Sequence, residues 1–194
     1  MLEPGIALCQ ATENRFALPF LTRLLGSAHL WSGRTTEAVR LLEEGVEAIT
    51  AMRIPGYRLF FIRSLSEAYL VVGRIAEARE HAQQAVSLTR THQARSWEAW
   101  GLKLLGDVHA QELAESEQAE DSYRQAIALA IGLGLRPLIA HCHFGLGTLH
   151  AGTGQREEAK QHLTIATTLY REMDMRFWLE QAESALGPSH GNPP

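Results

Sequence analysis

The sequence predicts an all-α solenoid of antiparallel helix pairs, and three observations support that fold class. A Leu-Gly or Leu-Ser pair recurs at intervals of 40, 40 and 41 residues, at Leu25-Gly26, Leu65-Ser66, Leu105-Gly106 and Leu146-Gly147. An alanine follows each pair at a nearly constant distance, at Ala38, Ala78, Ala119 and Ala159. A glycine turn precedes three of these alanines, in SGRTTEA, VGRIAEA and TGQREEA. Internal periodicity on this scale is typical of stacked helical repeats.

The chain begins, in this interpretation, with a short helix over residues 5–12, GIALCQAT, within a segment 1–14. That segment is either the second helix of an incomplete preceding repeat or an N-terminal cap helix, and the residues leave both alternatives open. Four repeats follow, at about 15–54, 55–94, 95–135 and 136–173. Their first helices are predicted at 15–31, 57–72, 95–111 and 137–152. Their second helices are predicted at 36–50, 76–91, 118–132 and 156–172.

The third repeat and the C-terminus depart from this pattern. The third repeat has ELAESEQA in place of a glycine turn, and this segment contains its one extra residue. Residues 174–187 contain the amphipathic segment RFWLEQAESAL, which is predicted to form a helix that caps the last apolar face. The final segment, 188–194, has the composition of a disordered tail.

Small residues on both helices of each repeat predict close backbone approach. A Gly or Ser on the first helix and an Ala on the second allow the two helices to approach each other, and larger side chains fill the space beside them. The filling positions lie four residues after each alanine, at Leu42, Ala82, Tyr123 and Leu163.

The stretch HCHFGLGTLH, from His141 to His150, has the composition of a metal site but not the spacing. On a helix, His141 and His143 point about 200° apart, and the four-residue spacing of zinc helices is missing. His150 occupies the repeated position that Tyr69 fills in the second copy. We therefore predict that these histidines pack and bind no metal, and we expect no cofactor.

Composition and motifs exclude several function classes. Hydrophobic residues make up 45% and charged residues 21%, and the formal net charge is −4, which gives no electrostatic basis for binding nucleic acid. No phosphate-binding glycine loop or nucleophile elbow is present, so no enzymatic activity is predicted. Two cysteines without a CxxC motif, and no signal peptide or apolar run of membrane length, favour a cytoplasmic protein.

The repeated pattern, Leu-Gly, then an aromatic residue or His, then Ala and a second small residue, resembles the tetratricopeptide repeat over about residues 16–173. The resemblance implies a right-handed superhelix whose first helices line a concave groove. Three features depart from the family pattern: the repeat is 40–41 residues instead of about 34, the usual Trp is missing, and no proline closes the second helices. HEAT-type repeats, whose period is about 40–47 residues, are the alternative on length.

The second half of the chain also resembles the C-terminal repeats of large bacterial signalling proteins that carry a cyclase or transcription-factor domain and a P-loop ATPase module. That resemblance implies a scaffold that binds a peptide, a partner protein or another domain of its parent chain. A small-molecule sensor that controls an attached output domain is the alternative.

The register places candidate binding residues on the groove side of the first helices. An aromatic row comprises Phe20, Phe60 and Trp100, with His141 fourth, and three residues further on lie Arg23, Arg63, Lys103 and Phe144. Acids follow two of the cations by four residues, at Glu67 and Asp107. The rows either bind a carboxylate-bearing peptide or form solvated helix-surface ion pairs.

Overall fold

The computed structural model describes residues 2–53 and 55–187, of which 84% are helical and none belongs to a strand. The ten α-helices are α1 (Leu2–Ala11), α2 (Ala17–Trp31), α3 (Thr35–Ala51), α4 (Pro55–Val71), α5 (Ile75–Thr91), α6 (Arg95–His109), α7 (Ser116–Gly132), α8 (Arg136–Gly152), α9 (Arg156–Glu172) and α10 (Arg176–Leu186). The predicted all-α class and its helix pairs are confirmed. The predicted disordered tail, 188–194, lies outside the described residues.

Glycines end the first helices where the sequence predicted turns. Gly33, Gly73 and Gly154 all have positive φ, between 77° and 81°, a region that L side chains rarely occupy. After α2, the Arg34 N–H donates to the carbonyl oxygen of His29 at 2.9 Å, and the Gly33 N–H donates to that of Leu30 at 3.1 Å. These two bonds form a Schellman motif, which satisfies the last carbonyl groups of the helix and reverses the chain.

Turns between repeats use the same backbone geometry with different residues. Arg53, Gln93 and Asp174 have φ of 52–54°, whereas Gly134 supplies the positive φ between α7 and α8. The third repeat has no glycine between its two helices. A short 3₁₀ turn, Leu113–Glu115, accommodates its extra residue there.

Contacts divide the described residues into two units, unit 1 (residues 2–85) and unit 2 (residues 86–187). The boundary falls within α5, which begins in unit 1 and ends in unit 2. In unit 1, α1 packs on α2, α2 on α3, and α3 on α4. A Cβ built on Gly26 would lie 2.8 Å from Leu42 Cγ, so the absence of a side chain permits this contact. In the second repeat, the buried Ser66 hydroxyl donates to the Ala78 carbonyl oxygen at 2.8 Å.

Unit 2 has the same construction. A Cβ on Gly106 would lie 2.7 Å from the Tyr123 ring, and one on Gly147 would lie 2.6 Å from Leu163 Cγ. In three of the four repeats, the glycine of the first helix therefore lies against a large side chain of the second helix. The last helix, α10, packs on α9 and buries Ala182 completely.

Candidate binding surfaces on the first helices

Unit 1 exposes a cluster of aromatic rings on α2 and α4, here called the unit 1 aromatic patch: Phe16, Phe20 and Tyr57. The Phe20 ring lies 5.0 Å from Tyr57 and 5.5 Å from Phe16, measured between ring centroids. Phe16 is 52% exposed and Tyr57 41% exposed, whereas Phe61 beneath Phe20 is fully buried. Of this patch, the sequence predicted only Phe20.

Arg23 lies beside that patch and is half-buried. Its Nη1 donates to the Ser64 hydroxyl at 3.1 Å, and its guanidinium carbon is 5.8 Å from the ring centroids of both Phe60 and Phe61. The Nε atom is buried and has no hydrogen-bond partner. Burial lowers the pKa of Arg23, and the nearby Arg63 charge lowers it further.

Arg63 forms an ion pair with Glu67, with 2.5 Å between Nη1 and Oε1. The two side chains are 27% and 33% exposed, so the pair is less solvated than the surface pair that the sequence suggested. Arg23 and Arg63 therefore lie on adjacent first helices of unit 1, as their shared register position predicts, and Glu67 forms its ion pair with Arg63.

In unit 2 the corresponding cation belongs to a closed network. Lys103 Nζ lies 2.6 Å from Asp107 Oδ2, and the Tyr123 hydroxyl donates to Asp107 Oδ1 at 2.8 Å. Tyr123 is buried, and burial raises its pKa well above the ordinary value, so it remains a donor. A Cβ on Gly145 would lie 2.6 Å from Tyr123 Cζ, so this glycine leaves the space that the ring occupies.

An aromatic cluster occupies the other predicted positions of unit 2. The His141 ring centroid lies 5.9 Å from that of Trp100 and 4.7 Å from that of Trp178. The His141 Nδ1 is 2.7 Å from the buried Tyr170 hydroxyl. Phe144 packs against the same core cluster. The structure thus brings Trp100 and His141 together, and it adds Tyr170 and Trp178, which the sequence did not single out for this surface.

The remaining histidines form a separate cluster with a member that the sequence reasoning missed. His143 and His162 face each other with 2.8 Å between their Nδ1 atoms, and His150 stacks on His162 at 5.4 Å. Burial and the neighbouring His162 lower the pKa of His143 to about 4. The pKa of His162 is also lowered, by burial and then by His150 and Arg124.

Neither this cluster nor Cys142 has the geometry of a reactive centre. Burial raises the pKa of the Cys142 thiol to about 12, which keeps it protonated. Within residues 2–53 and 55–187, no group of three or more His, Cys, Asp or Glu side chains is positioned to hold a metal ion. No helix in these ranges is long and apolar enough to cross a membrane.

Unit 1 also contains a cleft of about 490 Å³ where α1, α2 and α3 meet. Leu18, Pro19 and Ala48 contribute apolar surface, and Gln10, Arg15 and Glu44 contribute polar groups. Its volume is within the range of small-molecule sites.

The tetratricopeptide repeat model matches residues 63–84 and 140–163. The first segment contains Leu65-Ser66 and Ala78, and the second contains Leu146-Gly147 and Ala159, so the matches fall on the periodic positions. In these two segments the chain is similar to tetratricopeptide repeats. The resemblance predicted from the sequence is confirmed by these two matches and by the solved structures that share the fold.

Solved structures with the same fold include several tetratricopeptide-like proteins. BtubC (BKLC) from P. vanneervenii is 17% identical with a TM-score of 0.65, over 100% of this chain and 91% of that one. Aspartyl phosphate phosphatase F from Bacillus subtilis is 14% identical with a TM-score of 0.71, over 90% of this chain and 47% of that one. A signal transduction ATPase with numerous domains and a tetratricopeptide repeat sensor, from Pyrococcus horikoshii, is 17% identical with a TM-score of 0.71, over 95% of this chain and 29% of that one.

These identities establish the fold alone. This chain spans about half of the length of the phosphatase and less than a third of that of the ATPase. A comparison with curated proteins finds no significant match.

Proposed function

We propose that this tetratricopeptide repeat chain is a protein-interaction module that binds a peptide or partner domain on its first helices and has no catalytic role. The observation that carries the proposal is the unit 1 aromatic patch, where Phe16 and Tyr57 expose large aromatic surface. Arg23 adjoins the patch through Phe61, whose ring contacts both the Arg23 guanidinium and the Phe20 ring. Aromatic residues and arginine are enriched at binding hot spots, because they combine large contact area with specific polar groups. Surface rings clustered in this way are typical of interaction sites.

We further propose that the module is a regulatory part of a larger bacterial signalling or transcription-regulating protein in the cytoplasm. Support comes from the fold shared with a signal transduction ATPase that has a tetratricopeptide repeat sensor. In that ATPase the region aligned with this chain is 29% of the polypeptide.

A second candidate function is a small-molecule sensor, and the unit 1 cleft favours it. The cleft combines an apolar floor with the charged groups of Arg15 and Glu44, as small-molecule sites commonly do. A ligand there would contact α1, α2 and α3 together, and would stabilise the folded chain by an amount that rises with the logarithm of its concentration relative to its dissociation constant.

Display selection followed by calorimetry tests the interaction module. Peptides from a random library would be selected on the intact chain, and the tightest would be titrated against Tyr57→Ala and Leu8→Ala. Leu8 is a matched control, since it is an exposed apolar residue of unit 1 on α1. We expect Tyr57→Ala to weaken binding at least about tenfold, or about 1.4 kcal/mol, and Leu8→Ala to leave it unchanged. Equal affinities for the two variants would refute the placement of the site.

A further inference from the structure

The cations of the predicted row differ in how their charges are balanced. Arg63 is paired with Glu67 at 2.5 Å. Arg23 has the same register position one repeat earlier, but the residue four positions later is Ser27 instead of an acid. Its guanidinium donates to the neutral hydroxyl of Ser64. Within the part of unit 1 that the structure describes, no carboxylate forms an ion pair with Arg23.

The surroundings of Arg23 make this imbalance costly. Its guanidinium lies over two phenylalanine rings, and its Nε–H is shielded from solvent without an acceptor. A buried donor without a partner, and a half-buried charge that forms no ion pair of its own, both destabilise the free protein. Burial and the Arg63 charge lower the pKa of Arg23. The Glu67 charge partly offsets this by raising the pKa, but Glu67 is already paired with Arg63. Such perturbed groups are concentrated at functional sites.

We propose that Arg23 is the anion-recognising residue of unit 1, and that it binds a carboxylate of the partner next to an apolar side chain seated on the unit 1 aromatic patch. This inference rests on the proposed interaction function. Arg23, Arg63 and Glu67 together carry one net positive charge, which a single carboxylate would neutralise and a phosphate dianion would exceed. The planar guanidinium can also donate two parallel hydrogen bonds to a carboxylate.

Lys103, the corresponding cation of unit 2, has no such charge imbalance. Its charge is matched by Asp107, which also accepts a hydrogen bond from Tyr123. An incoming carboxylate would have to compete with Asp107, so the network holds the helix surface in place. Of the three cations that share this register position, Arg63 and Lys103 are each paired with an acid on their own helix, so we assign the selection for acid to Arg23.

Three N-acetylated tripeptides test the inference: Trp-Glu-Phe amide, Trp-Gln-Phe amide, and Trp-Gln-Phe with a free C-terminal carboxylate. Each would be titrated into the full chain at millimolar concentration while the NMR signal of the Arg23 Nε–H group is followed. We expect a carboxylate-bearing peptide to bind at least about tenfold more tightly than the neutral amide and to shift that signal. The first and third peptides distinguish a side-chain carboxylate from a terminal one.

Three variants make the result specific. Arg23→Met retains the length and packing of the side chain without its charge, and Arg40→Met removes an exposed cation that pairs with Glu44 elsewhere in unit 1. The preference for acid should disappear in Arg23→Met, persist in Arg40→Met, and weaken at high salt. Arg23→Met should melt at the same or a higher temperature, because an unmatched charge has been removed. Arg23→Lys should keep part of the preference.

Contrary outcomes separate this inference from the proposed function. Equal binding of all three peptides, with no effect of Arg23→Met, would overturn the carboxylate site while leaving an aromatic interaction surface intact. An acid preference that survives in Arg23→Met would place the anion site elsewhere and overturn the assignment. Absence of binding by every peptide would overturn the carboxylate site, and the library selection would then decide the proposed function by itself.

Discussion

Replacing Gly106 by Ala tests the packing of the helix pairs, because the structure fixes what the new methyl group would contact. The Cβ would lie 2.7 Å from two carbon atoms of the Tyr123 ring, closer than stable carbon–carbon contacts. Tyr123 is buried and its hydroxyl is bound to Asp107, so the ring cannot move aside without losing that hydrogen bond. Overpacking of this kind costs about 1–3 kcal/mol, and the higher helix propensity of Ala recovers up to about 1 kcal/mol. We expect a net loss of about 1–2 kcal/mol.

Gly152→Ala is the matched control, since a Cβ on that helical glycine would contact nothing within 4 Å. This variant should keep or slightly increase stability, because only helix propensity changes. The free energies of unfolding would be measured by urea titration monitored by circular dichroism. Equal stabilities for Gly106→Ala and Gly152→Ala would refute the argument that Gly106 is required by the Tyr123 ring.

A double-mutant cycle of Gly106 and Tyr123 tests the same contact more directly. The second repeat has Ser66 and Ala82 at the equivalent positions, which indicates that a serine is tolerated when the facing residue is small. Gly106→Ser should destabilise the wild-type protein but be tolerated when Tyr123 has been changed to Ala. The double mutant should therefore be more stable than the sum of the two single effects predicts, by at least about 1 kcal/mol. Strict additivity would show that the two side chains do not compete for the same space.

Three further predictions concern the histidine cluster, an inter-repeat turn and the unit 2 network. Because burial depresses the pKa of His143 to about 4, the unfolded chain binds a proton that the folded chain does not, and stability should fall as the pH decreases from about 6.5 towards 4. The full pKa difference corresponds to a loss of about 3 kcal/mol in the free energy of unfolding, which solvent around the half-buried ring reduces to about 1–2 kcal/mol. If the His143→Phe variant had the same dependence of stability on pH as the unmodified protein, this prediction would be contradicted. Gln93 has a φ of 52°, a left-handed conformation that is strained for a residue with a side chain and not for glycine. Gln93→Gly should therefore raise the free energy of unfolding by up to about 1 kcal/mol in urea titrations. A loss of stability would show that the backbone at Gln93 is not strained. Lys103→Met should cost about 1 kcal/mol by the same assay, because Asp107 would remain mostly buried with the Tyr123 hydroxyl as its remaining side-chain partner. A neutral result would show that the ion pair contributes no net stability.

The sequence predicted the fold well because its signals recur at a constant spacing. A glycine facing a larger residue, as in Gly147 and Leu163, appears in three of the four repeats and identifies both helices and their facing sides. The predicted bounds of α9, 156–172, and of α10, 176–186, coincide with the observed helices. Periodicity also predicted that Arg23 and Arg63 would lie on adjacent first helices.

The finer chemistry was not predictable because it depends on positions whose residue type varies between copies. In the other three repeats, the positions equivalent to Tyr170 are occupied by Ile49, Thr89 and Ala130, which are all fully buried. Among these four residues, only the tyrosine has a hydroxyl group that reaches His141. His162 lies on the second helix, so a search along α8 alone could not find the partner of His143. The sequence could not predict that Arg23 forms no ion pair of its own, because this depends on which acids are already paired in the folded structure.

The most direct test of the central claim, that the first helices form the binding surface, is NMR mapping of a selected peptide on the isotopically labelled chain. We predict that the largest shifts occur in α2 and α4, at Phe16, Phe20, Arg23 and Tyr57. Shifts concentrated instead at Gln10, Arg15 and Glu44 would locate the ligand in the cleft of α1, α2 and α3, and would contradict binding on the first helices.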